Sequence, residues 1–327
     1  MGPRHWIAWP VRLFAFAATR LAGLAVTLLV TSFIVYGALY LAPGNPIAVI
    51  TGGRPLPQKT IAAIQAEYGL SQPFLFRYLH WLENVIRGNF GQSIVFRENV
   101  SVLITARAGT TAFLVAYAAL LIIVIGVVLG VVSALRKGTT DTMILAGTTI
   151  GIATPSFVAA IVLISVFTLG LHWFPAIGAG TGFVDRLRHL TMPSAALALA
   201  GTAYVARLTR AAANEELARE HVDTARSRGI PEPLVVQRHV LRNALIPVTT
   251  VAGLTVAGLI AGSVVVENAF AINGLGSYLV TSVEQKDFPV VQAITLLLVA
   301  GFVVVNTVVD ILYALIDPRI SMTGASR

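Results

Sequence analysis

Side chains that could do chemistry are few and isolated in this 327-residue chain. Its six His residues stand singly, with no pair at the i, i+4 spacing that lets one helix hold a metal ion. The chain contains no Cys, which excludes disulfides, thiolate metal sites and cysteine nucleophiles. The phosphate-binding loop G-x-x-x-x-G-K-[ST] is absent, as are H-E-x-x-H and G-x-S-x-G. We therefore expect no catalytic residue, no metal site and no nucleotide site in this chain.

One carboxylate, Asp310, lies inside an otherwise apolar run near the end of the chain. Ionisable groups at membrane depth often mark proton or ion pathways. We favour an interfacial carboxylate that pairs with Arg319 or with a neighbouring chain, because a proton-coupled carrier would be expected to show several such groups. A transporter driven by an ion gradient is therefore less favoured and is kept only as an alternative, as is a membrane scaffold that transports nothing.

The composition is that of a protein embedded in lipid. The chain is 56% hydrophobic and 12% charged, with mean hydropathy +0.80, whereas soluble domains carry about 25% charged residues. A helix crosses the hydrocarbon core with roughly 20 apolar residues, and these runs lack the alternation of barrel strands. We therefore predict an all-α integral membrane protein with about six spans. The candidate spans are 13–41, 108–135, 142–171, 193–213, 243–266 and 289–316.

Two of these spans carry residues that disturb a regular apolar helix. Arg207 and Arg210 lie in the last turns of the fourth span, where we expect their side chains to reach the membrane surface by snorkelling. Pro155 is expected to kink the third span, and Pro193 to be the first helical residue of the fourth. Three pairs of Gly spaced four apart favour close helix packing. They are Gly126 and Gly130, Gly147 and Gly151, and Gly258 and Gly262.

Most of the 23 Lys and Arg residues flank the spans on one side. Positive residues accumulate on the cytoplasmic side of membrane proteins, so we predict that both termini are cytoplasmic. This distribution also accounts for the net charge of +8 without a nucleic-acid partner.

Residues 1–327 are interpreted as one membrane domain with one sizeable external segment, residues 42–105. This segment contains two short helical patterns, and the second places an apolar stripe rich in aromatic residues on one face. The stripe consists of Phe74, Tyr78, Trp81, Leu82 and Val85. We expect it to lie along the membrane interface or against the spans, with a docking surface for an external partner as the alternative.

A polar segment on the predicted cytoplasmic side, residues 214–242, contrasts with this apolar chain. Its spacing predicts the ion pairs Glu215–Arg219 and Asp223–Arg226 on a water-exposed helix. A solvated charged loop would be the unremarkable interpretation of such a segment.

A hinge is predicted within this segment. Gly229 is expected to end the first helix, and Pro231 suits the first turn of a second one. The second helix has one apolar face and one basic face, formed by Leu234, Leu241 and Leu245 and by Arg238 and Arg242 respectively. We therefore predict two short helices that protrude from the membrane and meet at Gly229.

At these residues the chain resembles the permease subunits of ATP-binding-cassette importers, and among them the oligopeptide and dipeptide branch. The family's cytoplasmic signature is EAA-x3-G-x9-I-x-L-P, which in that branch is similar to TARAKG followed by RHALRNALLP. The matching residues here are Asp223-Thr224-Ala225, Gly229 and the run RHVLRNALIP from Arg238 to Pro247, with His239 and Leu241 at the I and L positions.

The resemblance extends along most of the chain. Segments similar to the family are LAPGNP (41–46), LSQPFLFRYLHWLENVIRGNFGQS (70–93), TPSFV, LRHLTMP, YVARLTR, NGLGSYL, DFPVVQ and DILYALIDPRI. The chain departs from the family pattern at Asn273, where Pro is usual, and at Asp223, where a basic residue is commoner.

The resemblance implies a type I ABC-importer transmembrane domain in a prokaryotic cell membrane, which carries oligopeptides or dipeptides. It implies that residues 214–242 form a coupling region that docks on a separate ATPase subunit. The implied coupling residues are Asp223, Thr224, Ala225, Arg226, Gly229, Arg238, His239, Leu241, Arg242 and Asn243.

The resemblance also implies a set of partners. They are a second homologous permease subunit, two ATP-binding subunits or domains, an extracytoplasmic solute-binding protein and the lipid bilayer. ATP and Mg²⁺ would be bound by the ATPase subunits, so no cofactor is expected in this chain. Residues that contact substrate are not assigned by the sequence.

Overall fold

The computed structural model describes residues 8–41, 57–59 and 72–316. Within these ranges every secondary-structure element is a helix, which confirms the predicted all-α class. In chain order the elements are α1 (Ala8–Leu41), α2 (Phe74–Ile86), α3 (Val100–Leu135), α4 (Thr139–Ala153), α5 (Ser156–Leu163), the π-helix π1 (Ile164–Gly170), α6 (Phe183–Leu217), α7 (Glu220–Ser227), α8 (Glu232–Val235), the π-helix π2 (Val236–Leu241), α9 (Arg242–Ala269), α10 (Leu275–Glu284) and α11 (Phe288–Ile316).

Some predictions fall outside the described residues. They concern most of the LAPGNP segment, the first helical pattern of residues 42–105, Arg319 and the side chain of Asp310. The pairing predicted for Asp310 therefore stays a prediction.

Four of the described helices are long and apolar enough to cross a membrane, and a bent pair adds a fifth if it counts as one span. The four lie at Leu21–Ala38, Val100–Leu135, Glu232–Ala269 and Phe288–Val309. The fourth predicted span, 193–213, is helical within α6 but does not qualify. Its charge-free stretch is rich in Ala, Ser, Thr and Gly, and many of these small residues are buried in the bundle.

The third predicted span is broken at Pro155, where we expected only a kink. The two halves, Thr139–Ala153 and Ser156–Gly170, are bent by 111°. Thr154 is extended (φ −89°, ψ 116°), as residues before Pro prefer to be. Pro155 is extended as well (ψ 146°) and has no N–H to continue the hydrogen bonds of α4. Two extended residues in succession turn the chain far more than one missing bond does.

The helix start predicted at Pro193 is wrong, because α6 begins at Phe183 and Pro193 lies inside it. The first turn contains Asp185, whose carboxylate accepts a hydrogen bond from the Thr181 N–H at 2.8 Å. A carboxylate in the first turn also interacts favourably with the helix dipole. These interactions support a start ten residues before the Pro that the sequence suggested.

Contacts within the chain divide it into two compact units, and the single domain predicted over 1–327 stays a prediction. The first unit contains the described residues up to Gly109 together with Gly274–Gly301. Its core consists of Val100, Leu103, Ile104, Leu275, Tyr278, Val290, Ala293 and Ile294. Asp287 is fully buried in this unit and accepts hydrogen bonds from the Ser93 hydroxyl and, at 3.1 Å, from the Ile94 N–H.

The aromatic stripe of α2 packs on α1, as the structural interpretation of the sequence predicted. Tyr78 is buried, its ring centroid lies 5.2 Å from that of Phe33, and its hydroxyl lies 2.8 Å from the Ser32 hydroxyl. The Trp81 ring lies 5.2 Å from the Tyr36 ring. The stripe therefore joins an external helix to a span in the same unit.

The second unit contains Thr110–Asn273 and the described residues after Gly301. Its core draws on α3, α5, α6 and α9, with Leu114, Ile122, Leu190, Val205 and Val248 fully or almost fully buried. A Cβ on Gly130 would come within 2.5 Å of the Ala206 carbonyl oxygen, which confirms close packing for the first predicted Gly pair. In the other two pairs only one Gly lies in a close contact: a Cβ on Gly151 would come within 3.1 Å of Ala203 and one on Gly262 within 2.9 Å of Leu197, whereas a Cβ on Gly147 or Gly258 would meet nothing within 4 Å.

Candidate functional site

The predicted coupling region, residues 214–242, begins at the end of α6 with a break that the sequence did not predict. The helix ends at Leu217 and α7 begins at Glu220, with Arg219 extended between them (φ −85°, ψ 145°). The Arg219 side chain reaches back to Glu215 at 3.0 Å, as predicted, and also to Glu216 at 3.1 Å. Both bonds hold the joint between the two helices.

Gly229 ends α7 as predicted. Its φ is +76°, a conformation that costs other L-residues about 1–2 kcal/mol. The Gly229 N–H donates to the Arg226 carbonyl at 2.9 Å, and the Ile230 N–H to the Ala225 carbonyl at 3.3 Å. These two bonds form the Schellman arrangement that ends many helices.

Arg226 connects the two sides of this turn. Its guanidinium donates two hydrogen bonds to Glu232, at 2.7 and 3.1 Å, while the predicted pair with Asp223 is longer, at 3.6 Å. The hydrogen bond to Glu232 is the main cause that raises the pKa of Arg226 above its usual value. The sequence analysis missed Glu232, although the six-residue spacing across a Gly-x-Pro turn is short enough to signal it.

The second helix is not short. Glu232 to Ala269 forms one run of 38 residues through α8, π2 and α9. At about 1.5 Å per residue this run is roughly 55 Å long. The chain therefore passes from the Gly229 turn into a membrane span without a further break.

The π-helix π2 changes which residues face inward. We predicted an apolar face of Leu234, Leu241 and Leu245, but these three are only partly buried. The buried residues are Val235, Val240 and Ala244. A π-turn contains one residue more than an α-turn, which places residues five apart, such as Val235 and Val240, on the same side. The prediction of the face is wrong because it assumed regular α-spacing.

The coupling region has a small hydrophobic core of its own. Fully or almost fully buried residues from α3, α6, α7, α8, π2 and α9 form it, and they are Ala134, Ala213, Val222, Ala225, Val235, Val240 and Ala244. Ala225, one of the residues implied by the resemblance, belongs to this core. The region is therefore a packed structure, and the solvated-loop interpretation is wrong.

Glu216 is a second residue that the sequence analysis missed. Its side chain is only 8% exposed and lies 3.1 Å from Arg219, 3.7 Å from His221 and 3.3 Å from the Asn243 side-chain amide. It thus links α6, the start of α7 and the start of α9. Asn243, implied as a coupling residue, bonds inward to Glu216 and to the His239 carbonyl.

The remaining predicted residues divide by exposure. His239 and Leu241 are half-buried, whereas Asp223, Thr224, Arg238 and Arg242 are exposed. Within the described ranges, the guanidinium groups of Arg238 and Arg242 have neither a hydrogen bond nor an ion pair, and the same holds for Arg228. The coupling region therefore presents cations whose donors are available to a partner.

No metal site is found among the residues that the structure describes, where no three His, Asp or Glu side chains gather. The ring centroids of His221 and His239 lie 6.2 Å apart, beside the buried Glu216. The joint at this point is a packing and hydrogen-bonding arrangement of the coupling region.

Comparison with known proteins gives two family matches. Residues 122–322 match the binding-protein-dependent transport system inner membrane component, and residues 13–115 match the N-terminal part of such membrane components. The first match alone covers more than half of the chain and includes the whole coupling region.

Curated relatives cover almost the whole chain. The glutathione transport system permease protein GsiC of Escherichia coli (strain K12) is 37% identical over 306 residues, which are 93% of this chain and 98% of the relative. GsiC of Shigella dysenteriae serotype 1 (strain Sd197) gives the same values. A Brucella ovis protein named as a peptide permease is 37% identical over 311 residues, 93% of this chain and 97% of its own.

These matches confirm the predicted family and the multi-pass location in the inner membrane. A family of this description works with a binding protein and an ATPase as partners. The chain belongs to the family of binding-protein-dependent transport system inner membrane components, the permease subunits of ABC importers.

Proposed function

We propose that this chain carries short peptides across the inner membrane and that its coupling region docks on a separate ATPase subunit. The names of the relatives support a substrate of the peptide class, since they transport glutathione or are named for peptides. Glutathione is itself a small peptide, so a single substrate class accounts for both names.

The observation that carries the proposal is the continuity of the helix from Glu232 to Ala269. One end of this run joins the Gly229 turn and the small core of the coupling region, and the remainder is apolar enough to span the membrane. The run includes the π-helix π2 and Pro247 but no break, so a displacement imposed on α7 and the turn is passed on to the membrane part of the run. The region therefore acts as a lever.

The exposed cations suit the docking role. Arg228, Arg238 and Arg242 present guanidinium donors that bind carboxylates and carbonyls well. The exposed Asp223 and Thr224 on α7 add an acceptor and a hydroxyl on the neighbouring element. In this proposal Ala225, Arg226 and Asn243 maintain the shape of the docking surface, because they are engaged within the region.

The proposed assembly contains a second homologous permease, two ATP-binding subunits and a solute-binding protein. The ATP-binding subunits hold ATP and Mg²⁺, and the permease contributes displacement only. The composition of this assembly follows the family pattern and can be measured by the mass of the purified complex.

The test is peptide uptake into proteoliposomes that contain the complete importer. We expect uptake to require ATP on the side of the coupling region and loaded binding protein on the opposite side. Dissipation of ion gradients with an ionophore should leave the rate unchanged. Uptake driven by an ion gradient without ATP would contradict the proposal in favour of a secondary transporter, and neither uptake nor stimulated hydrolysis would favour a scaffold.

A further inference from the structure

A cavity of about 360 Å³ lies in the second unit between π1, the loop that follows it and α6. It is lined by Thr168, His172, Phe174, Pro175, Arg188 and His189. Because both termini are predicted to be cytoplasmic, the order of the predicted spans places residues 172–192 on the external face, and α6 runs from this loop at Phe183 to the coupling region at Leu217. The cavity is therefore placed on the side where a binding protein would release substrate.

The polar lining of this cavity consists of groups that donate hydrogen bonds. The guanidinium of Arg188 is exposed and has no partner among the described residues. The Thr168 hydroxyl is buried and also has none there. A buried hydroxyl without a partner is uncommon and calls for a ligand or water.

The Asp185 carboxylate, on the same helix as Arg188, is already engaged. The Asp185 carboxylate accepts a hydrogen bond from the Thr181 N–H at 2.8 Å and lies 3.2 Å from Nδ1 of His189. The same ring nitrogen is 3.0 Å from the Asp185 carbonyl oxygen. No carboxylate lines the cavity, so Arg188 meets no internal counter-charge there. An anion is the ligand that this lining fits.

The loop that carries the lining is held in place. The Leu171 and Trp173 N–H groups donate to the Val166 and Phe167 carbonyls, both at 2.9 Å. Between them, His172 has φ +57°, a conformation that is rare outside Gly and is often found at functional sites. The cavity is therefore formed before a ligand arrives.

We propose that this cavity binds the C-terminal carboxylate of the transported peptide, an inference that rests on the proposed function. Arg188 forms a bidentate pair with the carboxylate, and the Thr168 hydroxyl and His172 add donors. Phe174 and Pro175 form an apolar wall beside the last side chain of the peptide. A lipid headgroup phosphate is an anion with the same hydrogen-bonding chemistry, and the test below separates these two sources.

The test compares a tripeptide with its C-terminal amide in the reconstituted importer. Uptake is measured with saturating binding protein preloaded with either peptide, so that differences in loading do not enter. We expect Arg188→Gln to lower the uptake of the free acid about tenfold, because the neutral Gln amide keeps one ordinary hydrogen bond in place of the bidentate charge-assisted pair, and to leave the amide unchanged. Thr168→Val should show the same selectivity with a smaller effect, and it removes a group that contributes no hydrogen bond to folding.

The matched control is Lys286→Gln, which removes one exposed positive charge predicted on the same side, at a residue that does not line the cavity. It should affect neither peptide. Equal loss for acid and amide in both cavity variants would overturn the carboxylate site. So would a loss that depends on anionic lipid, which indicates a headgroup phosphate, or a loss that more binding protein restores, which indicates a docking contact. Failure of the wild type to transport either peptide would overturn the proposed substrate class as well.

Discussion

Two pairs of arginines in this chain have different surroundings. Arg207 and Arg210 lie near the end of α6, where Arg210 donates to Asp141 at 2.6 Å through two nitrogens and Arg207 donates to the Thr148 hydroxyl at 3.1 Å. Arg238 and Arg242 lie in and just after π2, are exposed, and have no partner within the described ranges. The sequence presents both pairs in the same way, as basic residues beside a span.

The difference shows which charges serve the fold and which are left for a partner. The first pair joins α6 to α4, because its guanidinium groups bind polar residues of that neighbouring helix. The snorkelling predicted for this pair stays a prediction. Within the described residues, the second pair adds neither a hydrogen bond nor an ion pair to the fold. Two exposed cations that lack a hydrogen bond and an ion pair, on a region with its own packed core, form a surface suited to binding another molecule.

The largest expected effect comes from reversing the free pair. Arg238→Glu together with Arg242→Glu should lower ATP-driven uptake by more than tenfold, because carboxylates now face the acceptors of the ATPase, and should leave thermal stability unchanged. The matched control reverses Arg136 and Lys137, two adjacent exposed cations predicted on the same side of the membrane. Equal loss of uptake in both double variants would show that general surface charge, and not docking, is responsible.

The next effect concerns the turn that supports the free pair. Gly229→Pro is incompatible with φ +76° and removes the N–H that bonds to Arg226. We expect uptake per ATP hydrolysed to fall several-fold while the protein still inserts into the membrane. Gly229→Asn, which tolerates positive φ better than other residues, should retain most of the coupling. If the Pro variant transports as many peptides per ATP as the wild type, the proposal that the Gly229 turn passes displacement to the membrane helix is contradicted.

Substitution of the paired arginines, Arg207 and Arg210, should lower stability and leave uptake per folded molecule nearly unchanged. Arg210→Gln leaves the Asp141 carboxylate with only the Ser133 hydroxyl, so we expect a lower melting temperature in detergent and less folded protein. Uptake per folded molecule should change less than twofold. Arg207→Gln has only neutral partners to lose and should have a smaller effect on melting. Normal melting of Arg210→Gln with lost uptake would reverse the assignment of the two pairs.

The smallest effect is expected at the junction of α6 and α7, where Glu216 binds Arg219. Glu216→Gln keeps an acceptor for Asn243 but loses the charge that binds Arg219, which should cost about 1 kcal/mol of unfolding free energy. Asp223→Ala, at a side chain that is 71% exposed, should change stability by less than about 0.5 kcal/mol. A larger loss at Asp223 than at Glu216 would contradict the contacts that define this joint.

Much of the fold could be predicted because membrane helices are set by long apolar runs and turns by Gly and Pro. Four of the six predicted spans, the helix end at Gly229 and the aromatic contact of α2 follow from such local rules. The 111° break at Pro155 could not be predicted in size, since the sequence shows a missing hydrogen bond but not two extended residues.

The candidate site was less predictable for a physical reason. The π-helix π2 shifts the buried face from Leu234, Leu241 and Leu245 to Val235, Val240 and Ala244, and no composition rule signals a π-turn. Glu216 links three helices only because Arg219, His221 and Asn243 come together around it in the fold. Which arginines are paired likewise depends on residues far apart in the chain, such as Asp141 and Arg210.

The docking of the free arginines on an ATPase can be tested most directly by crosslinking. The chain contains no Cys, so Arg238→Cys introduces a single thiol, with Arg188→Cys as the control on the predicted opposite face. We predict that a short thiol-to-amine crosslinker joins Arg238→Cys to the ATPase subunit in the complete importer, and that Arg188→Cys gives no such product. Labelling of Arg238→Cys by an impermeant reagent from outside the cell, or its failure to crosslink in an importer that transports, would contradict the account.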